Sequence, residues 1–292
     1  MDILQEEETP REILYKVGNF EISLTSDHSL PRNQAAHQLY DVFPRFLASA
    51  LGMGSSFVQI GANVGDTVAL MYSHNPSLRS LCIEADEEFF LLLKKNLVQI
   101  QSSIGCEYKA VHKLIASKLV FSSLEGDSGT KKAILANENE VLLPTMTLDD
   151  VILDSGEKTI DLIMVDTDGY DFDVIESGWN SIKTNEPLIY FEVTTNSVDN
   201  IQSYLDTIEK LEELGYKDWT IFDNFGNLMF KLGKKELINQ LTDYSLWQNL
   251  GVGSRTIYYI DILCSTPKRR NVHEQALRDY LAFLKTVVKR AI

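Results

Sequence analysis

Short and long apolar segments alternate along the middle of the chain, and this alternation limits the fold more than any other feature of the sequence. Short runs suited to β-strands lie at residues 56–60, 78–84 and 160–165, and a long amphipathic run lies at residues 86–100. Parallel strands need a crossover of about this length, which is nearly always right-handed and usually helical. The pattern therefore predicts an α/β fold with a mostly parallel sheet and helices on both faces.

The same kind of pattern extends towards both ends. Further strands are expected at residues 104–111, 188–193 and 256–263, with a β-like piece at 118–123 and a hairpin over 218–232. Further helices are expected at residues 67–74, 148–153, 172–181, 198–214 and 272–288. Before them, a strand or hairpin at residues 19–26 precedes a helix over 34–51, which Pro44 kinks or splits.

These elements divide the chain into three parts. We expect an N-terminal extension over residues 1–54, a main α/β domain over 55–266, and a C-terminal helix over 267–292 that packs on the main domain. No internal repeat interrupts this order. The length of 292 residues is sufficient for one large core.

The composition limits the partners and the compartment. The formal net charge of −15 argues against a nucleic-acid partner, because binding a phosphate backbone requires clustered Lys and Arg. Three widely spaced cysteines lie in or beside predicted strands, which indicates small buried side chains in a reducing compartment and no zinc site or other metal site: Cys82, Cys106 and Cys264. The acidic N-terminus and the lack of a long apolar stretch predict a soluble cytoplasmic protein without a membrane span.

A glycine turn follows the first strand of the predicted sheet. It contains Gly61 and Gly65, and Glu84 ends the next strand 84 − 61 = 23 positions after the first glycine. Glycines let a backbone pass close to a ligand, and an acid at about this distance accepts the ribose hydroxyls of adenosine ligands. A tight connection without a ligand is the alternative, but the acid in register favours adenosine binding.

Acidic residues also end two later apolar strands. Asp166, Asp168 and Asp171 follow the strand at 160–165, and Glu192 lies near the end of the strand at 188–193. The carboxyl ends of parallel strands line the ligand crevice, so Asp166, Asp168 and Glu192 are expected to face a site. Asp171 is better explained as an N-cap of the following helix. No glutamate stands at the position that a calcium-binding loop requires.

These motifs, taken in this order, resemble the FkbM family of S-adenosylmethionine-dependent methyltransferases. The segments that carry the resemblance over residues 56–194 are QIGANVGD, CIEADEEFF, TMTLDDVI, IDLIMVDTDGYDFDVIESG and PLIYFEV. The later segments DNFGN and YYIDILC are similar to the usual end of such domains. Two residues depart from the usual pattern: Gln59 stands where most such enzymes carry an acid, and Met164 where many members have lysine.

The resemblance implies a Rossmann-like class I methyltransferase fold with a mostly parallel seven-stranded sheet and S-adenosylmethionine as cofactor. In the implied site, Glu84 binds the ribose hydroxyls, Ala85 lies near the adenine, and Asp166 approaches the methionine end or the reacting centre. Gln59 gives a weakened contact to the methionine amino group. The residues implied to surround the methionine part are Gly61, Asn63, Gly65 and Asp66.

The resemblance further implies O-methylation of a hydroxyl on a sugar, a glycan or a small natural product, as in carbohydrate or polysaccharide biosynthesis. Three residues are candidates for the base that activates this hydroxyl: Asp168, which is favoured, Glu192 and His112. His112 is better explained as an ordinary loop histidine beyond a strand. The loops at residues 125–132 and 223–227 are expected to shape the acceptor pocket.

Two other functions remain open at this point. Asp166 and Asp168 match the Asp-x-Asp of glycosyltransferases, in which the acids hold a divalent ion against a nucleotide sugar. That function leaves the glycine turn and Glu84 unexplained. A non-catalytic adenosine-binding protein on the same fold is the other alternative, because a fold does not determine a function. An NAD enzyme ranks lower, because the turn lacks the Gly-x-Gly-x-x-Gly spacing. The sequence leaves the oligomeric state open.

Overall fold

The structure is a computed structural model that describes residues 11–126, 129–138, 140–194, 198–250 and 257–291. Its strands are β1 (Glu12–Val17), β2 (Phe20–Thr25), β3 (Ser56–Ile60), β4 (Arg79–Glu84), β5 (Glu107–His112), β6 (Leu114–Ile115), β7 (Phe121–Glu125), β8 (Lys132–Leu135), β9 (Thr145–Met146), β10 (Leu162–Val165), β11 (Leu188–Thr194), β12 (Asp218–Asp223), β13 (Leu228–Gly233) and β14 (Tyr259–Ser265). Its helices are α1 (Leu30–Ala36), α2 (Pro44–Ala50), α3 (Asp66–His74), α4 (Glu87–Ile104), α5 (Leu148–Ser155), α6 (Asp171–Ser177), α7 (Trp179–Asn185), α8 (Val198–Glu213), α9 (Lys235–Leu250) and α10 (Arg270–Ala291).

The central sheet has eight strands in the order β13-β12-β14-β11-β10-β3-β4-β5. The five strands from β11 to β5 are parallel to their neighbours, and β14 runs antiparallel to both β11 and β12. The seven strands from β12 to β5 form the predicted mostly parallel sheet, and β13 adds an eighth strand as the hairpin partner of β12. The strand order reverses between β3 and β10, where ligands of open α/β sheets bind.

Two apolar cores cover the two faces of this sheet. In β3, Val58 and Ile60 belong to one core and Phe57 to the other, because successive side chains of a strand point to opposite faces. The first core also contains buried residues of α5, α6 and α8. The second contains the β1–β2 hairpin, α2, α3, α4 and α10. The N-terminal extension and the C-terminal helix therefore lie on the same face of the sheet.

Local sequence signals explain where helix α4 begins and ends. The side chain of Asp86 accepts hydrogen bonds from the backbone amides of Glu88 and Phe89, which caps the start of α4. Gly105 ends α4 in the left-handed conformation, as glycine commonly does at this position. These caps fix where α4 leaves the end of β4, beside the glycine turn.

The structure corrects several predicted boundaries. Pro44 begins α2, so the predicted helix over 34–51 consists of two helices separated by residues 37–43. The predicted helix over 172–181 divides at Gly178 into α6 and α7. Because α4 continues to Ile104, the strand expected from that residue begins at Glu107. The described part of the loop over 125–132 joins β7 to β8 in a hairpin.

One helix was missed altogether. Helix α9 was not predicted, because its apolar residues are weakly segregated to one face. The prediction that the three cysteines are small buried side chains is confirmed: all three are free and buried. Within the described residues, no helix combines the length and the apolar character that spanning a bilayer requires.

Candidate functional site

A cavity of about 390 Å³ opens at the carboxyl ends of the central strands. Its wall combines segments that are distant in sequence: the N-terminal extension, the glycine turn, the end of β4, the β7–β8 hairpin, the ends of β10 and β11, the β12–β13 turn and the start of β14. Nine of the eleven predicted site residues line it: Gln59, Gly61, Asn63, Asp66, Glu84, Ala85, Asp166, Asp168 and Glu192.

The glycine turn lies directly against the loop that follows β10. A Cβ atom added to Gly61 would be 1.8 Å from the carbonyl oxygen of Asp166, and Gly61 has a φ of 72°. Asn63 is also left-handed, with a φ of 49°, which asparagine tolerates better than most residues. Gly65 does not line the cavity; it begins α3 and packs against Leu93 of α4. Gly61 therefore lets the glycine turn contact the loop that carries Asp166 and Asp168.

Glu84 is the link between this turn and the neighbouring strand. Its Oε2 accepts a hydrogen bond of 2.7 Å from the backbone amide of Asn63, and its Oε1 accepts one of 2.7 Å from the amide of Asp86. The residue is buried, with 7% of its surface exposed, and this burial raises the pKa of its carboxyl while the amide hydrogen bonds lower it. The turn and the acid on which the sequence interpretation depended are thus adjacent.

The side chain of Asn63 joins three parts of the wall. Its Nδ2 donates a hydrogen bond of 2.7 Å to the carbonyl oxygen of Gly129 in the β7–β8 hairpin. Its Oδ1 lies 3.3 Å from Nε2 of His28, which belongs to the N-terminal extension. In the same hairpin, Lys131 forms a salt bridge of 2.8 Å with Asp86 at the start of α4. The hairpin and the extension therefore meet over the glycine turn.

Besides Glu84, six carboxyl groups line the cavity: Asp41, Asp66, Asp166, Asp168, Glu192 and Asp261. Burial is the main cause that raises their pKa values, and repulsion between neighbouring carboxylates adds to it for most of them. The pKa of Asp41 rises to about 7 and that of Asp168 to about 6, although Lys132 lowers the latter. For Asp166, Glu192 and Asp261 the pKa lies well above its usual value.

Asp41 and Asp261 were not found from the sequence. Asp41 lies between α1 and α2, far from any motif, and no local pattern distinguishes it. Asp261 interrupts the otherwise apolar strand β14, which is the same signal that identified Glu192 in β11. In the pairing of β11 with β14, Glu192 lies directly opposite Asp261. An acid within an apolar strand could therefore have identified Asp261 as well as Glu192.

Asp171 has a role different from the expected N-cap. It is the first residue of α6 and is fully buried, and the structure shows no side-chain cap at this helix. Its Oδ1 accepts a hydrogen bond of 2.9 Å from the amide of Thr167, and its Oδ2 accepts one of 2.8 Å from the amide of Glu192. Asp171 therefore holds the loop after β10 against β11, which positions the residues that face the cavity.

His112 is not brought together with the other candidate bases. It is exposed at the end of β5, outside the cavity lining that the described residues form. Its ring stacks on Phe90 with centroids 4.9 Å apart, and its Nε2 lies 2.9 Å from the carbonyl oxygen of Ala85. These contacts agree with the ordinary loop histidine that was the alternative explanation.

Aromatic side chains also line the cavity. Tyr190 of β11 and Tyr259 of β14 line it, as do Tyr40 of the extension and Phe225 of the β12–β13 turn. The ring of Phe225 stacks on His37 with centroids 4.1 Å apart. Among the described residues, no group of three or more His, Cys, Asp or Glu side chains is arranged to hold a metal ion.

The fold and the site define an α/β methyltransferase, and a comparison with known families agrees. The sequence model of the Methyltransferase FkbM domain matches residues 59–217, which is more than half of the chain. The chain therefore belongs to the FkbM family and is an S-adenosylmethionine-dependent methyltransferase. This membership selects the methyltransferase over the glycosyltransferase and the non-catalytic protein that the sequence left open.

Comparison with solved structures finds similar folds at low sequence identity. The O-methyltransferase from Bacillus cereus in complex with SAH has 15% identity and a TM-score of 0.42, with coverage of 81% of this chain and 88% of that chain. M. jannaschii TYW2 in complex with AdoMet has 11% identity and a TM-score of 0.44, with coverage of 88% and 86%. Precorrin-6y C5,15-methyltransferase from Geobacter metallireducens has 13% identity and a TM-score of 0.39, with coverage of 77% and 87%. No curated protein matches the chain significantly.

Proposed function

We propose that this enzyme transfers the methyl group of S-adenosylmethionine to a hydroxyl of a sugar, a glycan or a small natural product. The observation that carries the proposal is the composition of the single cavity described above. Its lining includes the glycine turn with Glu84, and it also includes carboxyl and tyrosine side chains from other segments. A cofactor and a polyhydroxylated acceptor would therefore meet in the same cavity.

The residues present fit the cofactor. The cavity volume of about 390 Å³ lies within the range of small-molecule sites. Glu84 keeps lone pairs for ribose hydroxyls besides the two amide hydrogen bonds it accepts, and Ala85 follows it in the wall beside the adenine. The cofactor carries a net positive charge, which the carboxylates lining the cavity attract. Gly61, Asn63, Asp66 and Asp166 would surround its methionine part, with Gln59 beside them and Gly65 behind the turn.

When bound, S-adenosylmethionine supplies an electrophilic methyl group, and the chain positions the acceptor oxygen behind it. Such positioning contributes about 7–11 kcal/mol to lowering the barrier in well-oriented reactions. Asp168 is the proposed base that accepts the hydroxyl proton. It lies in the loop between β10 and α6 and lines the cavity. Its pKa is about 6, so the carboxyl is ionised at neutral pH.

Glu192 is the second candidate for the base. Its Oε1 accepts a hydrogen bond of 2.8 Å from the hydroxyl of Thr194, and its pKa is raised well above the usual value by burial and by Asp166. A raised pKa favours the protonated carboxyl, which donates a hydrogen bond and cannot accept a further proton. Glu192 is therefore better suited to orient an acceptor hydroxyl than to deprotonate it.

The other side chains of the wall support a hydroxyl compound as acceptor. Carboxylates, tyrosines and Asn224 provide hydrogen-bonding groups, and aromatic rings provide flat apolar surfaces for a sugar ring. An anionic acceptor would be repelled by the carboxylates. As part of the same proposal, we assign the enzyme to carbohydrate or polysaccharide biosynthesis in the cytoplasm, with an N-terminal extension from which residues between His28 and Pro44 line the cavity.

The proposal is tested by incubating the purified chain with S-[methyl-²H₃]adenosylmethionine and separate pools of neutral sugars, amino sugars, polyphenols and carboxylic acids. Mass spectrometry is expected to find the label in an ether that resists alkaline hydrolysis. Label found in an alkali-labile ester, or on nitrogen or carbon, would contradict the proposed O-methylation of a hydroxyl. Asp168→Asn serves as the low-turnover control for the same reaction.

A further inference from the structure

Gln59 carries a buried polar atom that the protein leaves without a partner. The residue is 3% exposed and lines the cavity, and its Oε1 has no hydrogen-bond partner among the described residues. Buried polar atoms in folded proteins nearly always have partners. An acceptor oxygen in a ligand cavity therefore indicates a hydrogen-bond donor on the ligand.

Asp41, in the N-terminal extension, lines the same cavity. Its neighbours are predominantly anionic: repulsion from Asp66 adds to burial in raising its pKa, and Asp41 itself raises the pKa values of Asp166 and Asp261. No hydrogen bond or ion pair within the described part of the chain reaches its carboxyl. Its backbone is left-handed, with a φ of 54°, which a residue other than glycine seldom adopts.

The packing of the N-terminal extension fixes Asp41 over the sheet face that carries Gln59. Phe43, two residues further on, packs its ring on Tyr190 and Phe222, with centroids 5.9 Å and 4.4 Å apart. Tyr190 is paired with Met164, which is paired with Gln59, so these side chains share one face across three neighbouring strands. Asp66, at the start of α3, also lines the cavity, and its charge acts on Asp41.

We propose that Asp41 and Gln59 together bind the α-ammonium group at the methionine end of S-adenosylmethionine. The carboxylate of Asp41 supplies the negative charge, and Oε1 of Gln59 accepts one ammonium hydrogen. The N-terminal extension thereby provides the acid that position 59 lacks. An ammonium group has three donors, so it can bind acceptors of the extension and of β3 together, and the contact also holds the extension on the sheet when the cofactor binds.

The test measures binding, not turnover. Isothermal titration calorimetry compares the wild type with Asp41→Asn for two ligands: S-adenosylhomocysteine and its analogue that lacks the α-amino group. Asparagine keeps the left-handed preference of position 41 and removes the charge. The variant is expected to bind S-adenosylhomocysteine about 10- to 100-fold more weakly, the effect of a charged hydrogen bond, and to bind the deaminated analogue as the wild type does.

Two further variants check the role of each side chain. Gln59→Leu is expected to show the same selective loss, and Gln59→Glu in the Asp41→Asn background is expected to restore part of the affinity for S-adenosylhomocysteine. Failure of this restoration would contradict a shared ammonium site. Asp154→Asn, at an exposed position of α5, is the matched control and is expected to change neither affinity.

The melting temperature of the ligand-free protein separates binding from a structural role. Asp41 stands among Asp66, Asp166 and Asp261, so removing its charge is expected to leave the melting temperature unchanged or to raise it. A lower melting temperature with equal losses for both ligands would overturn the proposal and make Asp41 a structural residue. Unchanged cofactor affinity with a raised acceptor KM would overturn it in favour of an acceptor contact. A wild type that binds neither ligand would refute the cofactor itself.

Discussion

The backbone amide of Asn63 donates a hydrogen bond of 2.7 Å to Oε2 of Glu84, which joins the glycine turn after β3 to the end of β4. The second carboxylate oxygen accepts the amide of Asp86 at 2.7 Å, where α4 begins. One side chain therefore fixes the relative positions of a turn, a strand end and a helix start. The geometry of the proposed ribose site depends on this carboxylate.

Glu84→Gln is expected to lower both stability and cofactor affinity. Each carboxylate oxygen of Glu84 accepts an amide hydrogen, so the NH₂ of a glutamine would face one of these amides and leave it unsatisfied. The expected loss in the free energy of unfolding is about 1–3 kcal/mol. Affinity for S-adenosylhomocysteine is expected to fall about 10- to 100-fold, because a charged acceptor for the ribose hydroxyls is lost. Urea unfolding and calorimetry measure the two effects.

The control for this substitution is Glu87→Gln. Glu87 is exposed in the first turn of α4, three residues from Glu84, and undergoes the same chemical change. Its expected effect is confined to the helix dipole, about 0.3–1 kcal/mol. Equal effects of the two variants on cofactor affinity would contradict the special role of Glu84.

Gly61→Ala is expected to lower the free energy of unfolding much more than Gly54→Ala does. Both glycines have a φ of 72°, so both substitutions carry the same backbone strain of about 1–2 kcal/mol. They differ in space: a Cβ atom at position 61 would lie 1.8 Å from the carbonyl oxygen of Asp166, and one at position 54 would meet nothing within 4 Å. The difference in unfolding free energy between the two variants therefore measures how closely the glycine turn packs against the backbone of Asp166. Equal destabilisation would show that this contact is absent.

The sequence predicted the glycine turn, Glu84 and the later acids because each of them is a local signal. Strand β3 was predicted at its observed bounds, since an apolar run followed by glycine needs no information from elsewhere in the chain. The spacing between Gly61 and Glu84 follows from one helix and one strand, so it indicated a contact that the structure contains. Local signals also predicted most of the strands of the central sheet.

The rest of the site could not be predicted because it depends on long-range packing. Asp41 reaches the cavity through the packing of Phe43 on β11 and β12, strands that lie well over a hundred positions away. His28 meets Asn63 by the same kind of tertiary contact. The place of His112 was equally undetermined, since the position of a residue after a strand does not reveal whether its ring faces the crevice or stacks on α4.

Turnover is expected to depend on pH through Asp168. The pKa of this carboxyl is raised to about 6, and a base acts only when deprotonated, so kcat is expected to rise with pH up to about 6 and then to level. Asp168→Asn is expected to lower kcat about 10²- to 10⁴-fold and to remove this acidic limb, while the affinity for S-adenosylhomocysteine is retained. Steady-state rates across the pH range measure the limb directly.

Two variants at other positions complete that experiment. His112→Gln is expected to retain the wild-type kcat and pH profile, because His112 lies outside the lining formed by the described residues. Glu192→Gln is expected to lower turnover without removing the acidic limb. A limb that disappears in Glu192→Gln and persists in Asp168→Asn would assign the base to Glu192.

Stability is expected to depend on pH through a histidine far from the cavity. His273 of α10 is fully buried between two hydroxyls, with Nε2 2.8 Å from Thr220 Oγ1 and Nδ1 2.8 Å from Ser265 Oγ. Burial lowers its pKa to about 3 from an ordinary 6.5. Below 6.5 the unfolded chain binds a proton that the folded chain excludes, so the contribution of His273 is complete above 6.5 and is lost as pH falls towards 3.

His273→Gln removes this dependence, so the stability difference between wild type and variant should narrow by about 1.4 kcal/mol between about pH 7.5 and pH 5.5. Urea unfolding at both pH values measures the difference. The comparison has to be made against the variant because cavity carboxyls with raised pKa values, such as Asp166 and Asp261, favour the folded state as pH falls. In the wild type, the pH dependence from the carboxyls opposes that from His273, and the two cancel partly. Subtracting the unfolding free energy of the variant leaves only the contribution of His273. A constant difference would show that His273 accepts a proton inside the fold.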